Sequence, residues 1–383
     1  MRVYLDNAAT TKIDEEVLSE MMPYFSEHYG NPSSIHSFGR ETRSKIEKGR
    51  KKIADLLNCS PSELFFTSCG TEGNNTILRG CVNDLGVTDI ISSSIEHHCV
   101  LHTLEAIKVE GKARIHYVKL DEFGHFDLED LASQLRSIDK AGGKALVSLM
   151  HSNNEIGTMM DIKKVGEIAA SHNALFHSDT VQTLGKYPID LKELSIDFLT
   201  ASAHKFHGPK GIGMIYINGD VKIKPFIHGG AQERNMRAGT ENMYGIIGLA
   251  KAFELSVNNM QSNREHVEGL KKYMIEKLKA NIPGVGFNGD AHGQSNYIVL
   301  NVAFPPFSNK DMLLFNLDIM GVAASSGSAC SSGSSIGSHV LKAIGADSEY
   351  TSVRFSFSKY NTKSEVDFVV EKVKEIYAGE LVG

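Results

Sequence analysis

The sequence has no tryptophan, few prolines and cysteines, and no long run of basic or of apolar residues. Each shortage excludes something. The cysteines, at 59, 69, 81, 99 and 330, are odd in number and nowhere spaced Cys-x-x-Cys, which argues against a disulfide framework or a structural zinc site. No metal ligands are therefore assigned. No apolar stretch approaches the roughly 18 residues of a membrane-crossing helix. Without a basic run, and with a formal net charge of -6, the chain is not expected to bind nucleic acid or an anionic membrane. The opening residues reach Asp6 before any signal-peptide core forms, so a cytoplasmic protein is expected.

What is present suffices for folded cores, with 41% hydrophobic and 22% charged residues. At 383 residues the chain exceeds what one core usually serves, and two lobes are expected. Short apolar runs at 63–67, 89–92, 115–118, 145–150, 174–177, 198–200 and 212–217 read as strands, while 43–57, 99–109 and 162–172 repeat apolar residues at helical spacing. This alternation predicts an α/β fold with a mostly parallel sheet between helices, and ligands bound beyond the carboxyl ends of its strands. Residues 242–280 read as one long helix or two that leave the sheet domain. Beyond Pro283, strands at 296–302 and 353–357 and helices at 310–317, 339–344 and 364–377 predict a smaller α+β domain. The expected boundaries are 13–253 for the large domain, with 1–12 and 254–383 forming the small one.

The chemistry concentrates at strand ends. Lys205 sits among His204, His207 and a glycine-rich turn after an apolar run. An amine in such a place can lose its proton near neutral pH and condense with an aldehyde, as pyridoxal 5'-phosphate (PLP) requires of its lysine. Gly70 and Thr71 open a helix after a strand, where free N–H groups suit a phosphate; taken alone, they read better as a plain helix cap. Asp179 can bond a pyridine nitrogen and Gln182 a ring hydroxyl; taken alone, Asp179 reads as a helix cap. His97 can stack on a ring and move protons. Asn154 lies in a polar loop after a strand, a plausible contact for ring and carboxylate oxygens or simply a turn.

These motifs, with the segments 4–11, 30–34, 228–240, 325–330 and 353–356, resemble the cysteine desulfurases of the NifS/IscS family, which are fold type I PLP enzymes of the class V aminotransferase group. The resemblance covers nearly the whole chain. It implies that Lys205 bonds the cofactor aldehyde, that His97 stacks on the ring and joins in proton transfer, and that Asp179 and Gln182 hold the ring nitrogen and hydroxyl. Gly70, Thr71, Ser202 and His204 fall at its phosphate end, and Thr240 reaches the phosphate of a second subunit, making a homodimer. Asn154 and Arg354 bind the substrate carboxylate, with Asn31 nearby. Cys69, Thr180, Ala231, Gln232 and Asn235 depart from the usual family pattern.

Cys330 lies in a serine- and glycine-rich segment, 325–335, of flexible and solvated composition. The resemblance makes it the thiol that takes sulfur from L-cysteine as a persulfide and passes it to an acceptor protein, in iron–sulfur cluster assembly or thiolation, leaving L-alanine. A selenocysteine lyase or another class V PLP enzyme such as an aminotransferase is the alternative; an aminotransferase would not need Cys330.

Overall fold

The computed structural model describes residues 1–307, 312–327 and 337–379. Its large lobe is built on seven strands, Leu64–Thr67, Asp89–Ser92, Arg114–Tyr117, Ala145–Ser148, Leu175–Asp179, Phe198–Ser202 and Gly213–Ile217. Across the sheet they stand in the order first, seventh, sixth, fifth, fourth, second, third. Only Gly213–Ile217 runs against its neighbours; every other pairing is parallel. Ala145–Ser148 and Phe198–Ser202 are buried at every position, so neither alternates strictly between apolar and polar residues.

The structure adds a helix at Leu128–Lys140 to those expected from periodicity. Asp127 caps it by accepting from Glu129 N and Asp130 N, and Leu131, Leu135 and Ile138 face the core. The segment 242–280 forms two helices, Met243–Asn258 and Met260–Asn281. The first does not leave the sheet domain: Ile246, Leu249 and Phe253 are buried in the large-lobe core. The chain departs at Asn259, after which Val267, Leu270 and Met274 enter a second core. That core covers an antiparallel sheet of Gly286–Asn288, Val299–Phe304 and Thr351–Ser356.

The N-terminus begins in this smaller core. Val3–Tyr4 pairs in parallel with Val322–Ala323, Ser356 N donates to Leu5 O at 2.7 Å, and Asn7 N donates to Ser356 O at 3.3 Å. The segment then crosses to the large lobe, where Thr11 N donates to His204 O at 2.9 Å and Asp14 N donates to His207 O at 3.0 Å. Residues 5–14 thus form a strap between the lobes.

The helix Gly70–Leu85 is pressed against the sheet through Gly73, where a Cβ would lie 2.7 Å from Ile215 Cγ2 and 2.8 Å from Thr200 Cγ2. Gly73→Ala should therefore push the helix off the sheet and cost about 1–3 kcal/mol. Urea denaturation measures this, and an unchanged midpoint would show that the helix shifts freely.

Candidate active site

A cavity of about 240 Å³ opens at the carboxyl ends of the parallel strands, between the large lobe, the strap and Arg354. The sheet explains its position. Asp179 ends one strand, Ser202 ends the next and leads into the short turn Ala203–Lys205, His97 caps the helix His98–Val109, and Gly70 opens the helix Gly70–Leu85. Of the residues singled out in the sequence, Gly70, Thr71, His97, Asn154, Asp179, Gln182, Ser202, His204, Lys205 and Arg354 all line this one cavity. Asn31 and Thr240 do not; both are exposed. Cys330 lies outside the described residues.

One end of the cavity presents hydrogen-bond donors that can receive an anion. Cys69, at the cap position of Gly70–Leu85, places no side-chain bond on the first turn, which leaves N–H groups and the positive end of the helix dipole facing outward. Ser202 Oγ is buried without a partner. His204 Nδ1 lies 3.1 Å from Thr10 Oγ1, and burial, with Lys205, Lys210 and Lys186 adding to it, depresses the imidazole to about 4. His204 is thus neutral and can serve as a hydrogen-bonding group without adding charge.

The other end has a carboxylate fixed from two sides. Asn74 Nδ2 donates to Asp179 Oδ2 at 2.7 Å, and Val181 N donates to Oδ1 at 2.9 Å. Gln182 Nε2 donates to Ala8 O at 3.0 Å, while its Oε1 is buried with no partner. His97 Nδ1 accepts from Cys99 N at 3.2 Å, which leaves the proton of the neutral ring on Nε2. Burial lowers the His97 pKa; Asp179 opposes this and Lys205 adds to it. Lys205 Nζ donates to Ala8 O at 2.7 Å and Ala9 O at 2.8 Å.

Arg354 is 1% exposed in the strand Thr351–Ser356. Its Nη1 donates to Asn154 O at 2.9 Å and its Nη2 to Asp6 Oδ1 at 2.7 Å, while Nε is buried without a partner.

Residues 3–369 match the family model described as Aminotransferase class-V. The chain belongs to this family. Like this class V chain, the protein named "Cysteine desulfurase IscS" from Dictyoglomus turgidum extends over nearly the same length: the two are 43% identical over 382 residues, 98% of this chain and 94% of the relative. A solved structure titled "NIFS-LIKE PROTEIN" superposes with a TM-score of 0.90 at 39% identity, covering 99% of this chain and all of the other. A third, titled "SspA in complex with cysteine", has a TM-score of 0.81 at 30% identity and covers 94% of this chain and 100% of that one. The architecture is accordingly that of a fold type I PLP enzyme.

Several contributors to this class V site lie in or beside the recognised motifs without a role assigned from them. From the strap, Asp6 and Thr10 act through side-chain oxygens and Ala8 and Ala9 through backbone carbonyls, which carry no residue-specific signal. Asn74 carries a trace in the sequence, as a polar residue directly after the glycine that meets the sheet. Cys99 lines the cavity beside Cys69, with its Sγ 3.0 Å from His97 Nδ1, and burial raises its thiol to about 12, so it stays protonated.

Burial holds four histidines of this region below their ordinary value of 6.5: His151, His204 and His207 at about 4 and His177 at about 3. In the unfolded chain these groups take up protons near 6.5 that the fold refuses, so stability is lost as pH falls from about 6.5 towards 4. Glu96 works in the opposite sense: burial raises it from 4.5 to about 8, and its contribution is lost as pH rises through that range. Thermal unfolding followed against pH should show Tm falling steeply below pH 6.5. A flat profile down to pH 4 would show that the four rings titrate in the fold as they do in the open chain.

Proposed function

We propose that the cavity holds PLP and that the protein is a cysteine desulfurase acting on L-cysteine. The observation that carries this reading is the convergence of Lys205, Asp179 and a buried Arg354 with an unpartnered Nε on one cavity. The donor set suits the group. The uncapped helix turn, Thr71, Ser202 and His204 match a phosphate; Gln182 Oε1 can take a ring hydroxyl proton; Asp179 matches a pyridinium; and the amine of Lys205 matches an aldehyde. The name carried by the 43% identical relative supports the substrate class.

When bound, PLP supplies an electron sink for the pair left behind as the Cα proton of the substrate departs. The remaining work belongs to the chain. Arg354 and Asn154 hold the substrate carboxylate and so fix the amino acid relative to Lys205. Lys205 takes the Cα proton and returns a proton later. His97 presents Nε2–H and stands ready to hold or give a proton, while Asp179 keeps the pyridine nitrogen protonated. The Cys330 thiolate attacks the substrate sulfur; the C–S bond breaks as an S–S bond forms, and the carbon gains a proton in place of sulfur. The balance is L-cysteine plus thiol giving L-alanine plus persulfide. Thiolate character at Cys330 is required, because a neutral thiol is a poor nucleophile.

The reading extends to a homodimer in which Thr240 serves the partner's phosphate, to Asn31 near the substrate, to a sulfur-acceptor protein, and to the cytoplasm as the place of action. The exposure of Thr240 and Asn31 on the single chain is compatible with contacts across a subunit boundary.

The test is release of alanine and sulfide from L-cysteine with a reductant. Wild type should release both in equal amounts. Cys330→Ser should keep the PLP absorbance and lose at least 100-fold of the activity, by the loss of its nucleophile. Lys205→Ala should lose the absorbance of lysine-bound PLP. Wild-type turnover by Cys330→Ser would remove Cys330 from the mechanism, and a strict keto-acid requirement would favour an aminotransferase.

A further inference from the structure

Arg354 does not meet the cavity as a bare cation. Asp6 Oδ1 lies 2.7 Å from its Nη2 and Asn154 O lies 2.9 Å from its Nη1, so two of the five N–H groups of the guanidinium are committed before any ligand arrives. Asp6 itself does not line the cavity, whereas Arg354 does. The carboxylate therefore stands behind the guanidinium as a fixed counter-charge and leaves Nε, buried and unpartnered, for a ligand.

The strap fixes Asp6 independently of this ion pair. Leu5 O accepts from Ser356 N at 2.7 Å, and Ser356 O accepts from Asn7 N at 3.3 Å and from Asn7 Nδ2 at 2.8 Å. The backbone on either side of Asp6 is thus bonded to a residue two positions from Arg354 on the same strand. Removing the charge of Asp6 does not remove these bonds.

We propose that Asp6 is a positioning residue that holds Arg354 in register and weakens its grip on carboxylates, so that the site releases its amino-acid product. The inference rests on the reading of Arg354 as the carboxylate site. L-Cysteine and L-alanine carry the same carboxylate and amine and differ only in sulfur. A grip on the carboxylate therefore acts equally on substrate and product, lowers KM without raising kcat, and slows departure when it is strong. In a buried site, an unopposed guanidinium grips an anion far more firmly than one in water does. A counter-ion at hydrogen-bond distance offsets that attraction, while its fixed oxygen keeps the guanidinium plane aimed.

The two roles separate by substitution. Asp6→Asn keeps an oxygen for Nη2 and removes the charge; Asp6→Ser keeps a smaller acceptor and also removes the charge. Calorimetric titration of the PLP-loaded protein with L-alanine, and with L-alaninamide as the ligand lacking a carboxylate, reads the effect without turnover. L-Alanine should bind about tenfold tighter to Asp6→Asn than to wild type, with L-alaninamide unchanged. KM for L-cysteine should fall by a similar factor without a rise in kcat. Weaker or unchanged L-alanine binding in both variants, with PLP absorbance and circular dichroism preserved, would overturn the proposal and leave Asp6 as a brace. Arg354→Gln should weaken L-alanine and leave L-alaninamide alone; equal effects on both ligands would overturn the carboxylate site and the proposal with it. If L-cysteine gives no alanine while Asp6→Asn still tightens L-alanine, the desulfurase reading fails and the role of Asp6 stands.

Discussion

The site depends on a strap of backbone. Residues 5–11 leave the small-lobe sheet, pass over the carboxyl ends of the large-lobe strands, and give the amine of Lys205 two carbonyl acceptors, Ala8 O and Ala9 O. The same stretch bonds Gln182 through Ala8 O, His204 through Thr10 and Thr11, and Arg354 through Asp6. Groups from three separate parts of the chain, around 182, 204–205 and 354, are therefore fixed relative to one another by residues 5–11 of the strap. Buried N–H and C=O groups demand partners, and here the demand is met between lobes, which ties the geometry of the site to the docking of one core on the other.

Around this strap, burial sets the charge. The histidines of the region are kept neutral by loss of solvent, and Cys99 is kept protonated for the same reason. Asp179 and Arg354 each have fixed partners on part of their surface and line the cavity, as does the amine of Lys205. The polar groups of the cavity are thus held in place by the fold itself before any ligand arrives.

The sequence is most legible where local physics and global fold agree. The buried strands are largely apolar and carry polar residues at or just beyond their carboxyl ends, so ten residues that line the cavity stand out in the sequence at strand ends and in motifs. The helix Leu128–Lys140 carries the signal of an amphipathic helix, with Leu131, Leu135 and Ile138 at i, i+4 and i+7 behind the cap Asp127, and is legible in the sequence although it is not among the helices expected there. The destination of Met243–Asn258 is hidden: an amphipathic pattern shows that a helix must bury a face but not which core receives it. The strap was the least legible part. Asp6 to Thr11 has neither a helical nor a strand period, and its contacts run largely through carbonyls that every residue type possesses.

The pairing of the strap with Ser356 also constrains how the protein is made. Asn7 Nδ2 reaches Ser356 O across 349 positions of sequence. During synthesis at about 5–20 residues per second, Asn7 must wait until Ser356 has been made before it finds this partner. The sheet of the large lobe can form long before that moment, yet Lys205 remains without its carbonyl acceptors until the strap is seated. Assembly of the site is thus a late event on the ribosome's schedule, and a nascent chain halted before residue 356 carries the cradle without its clasp.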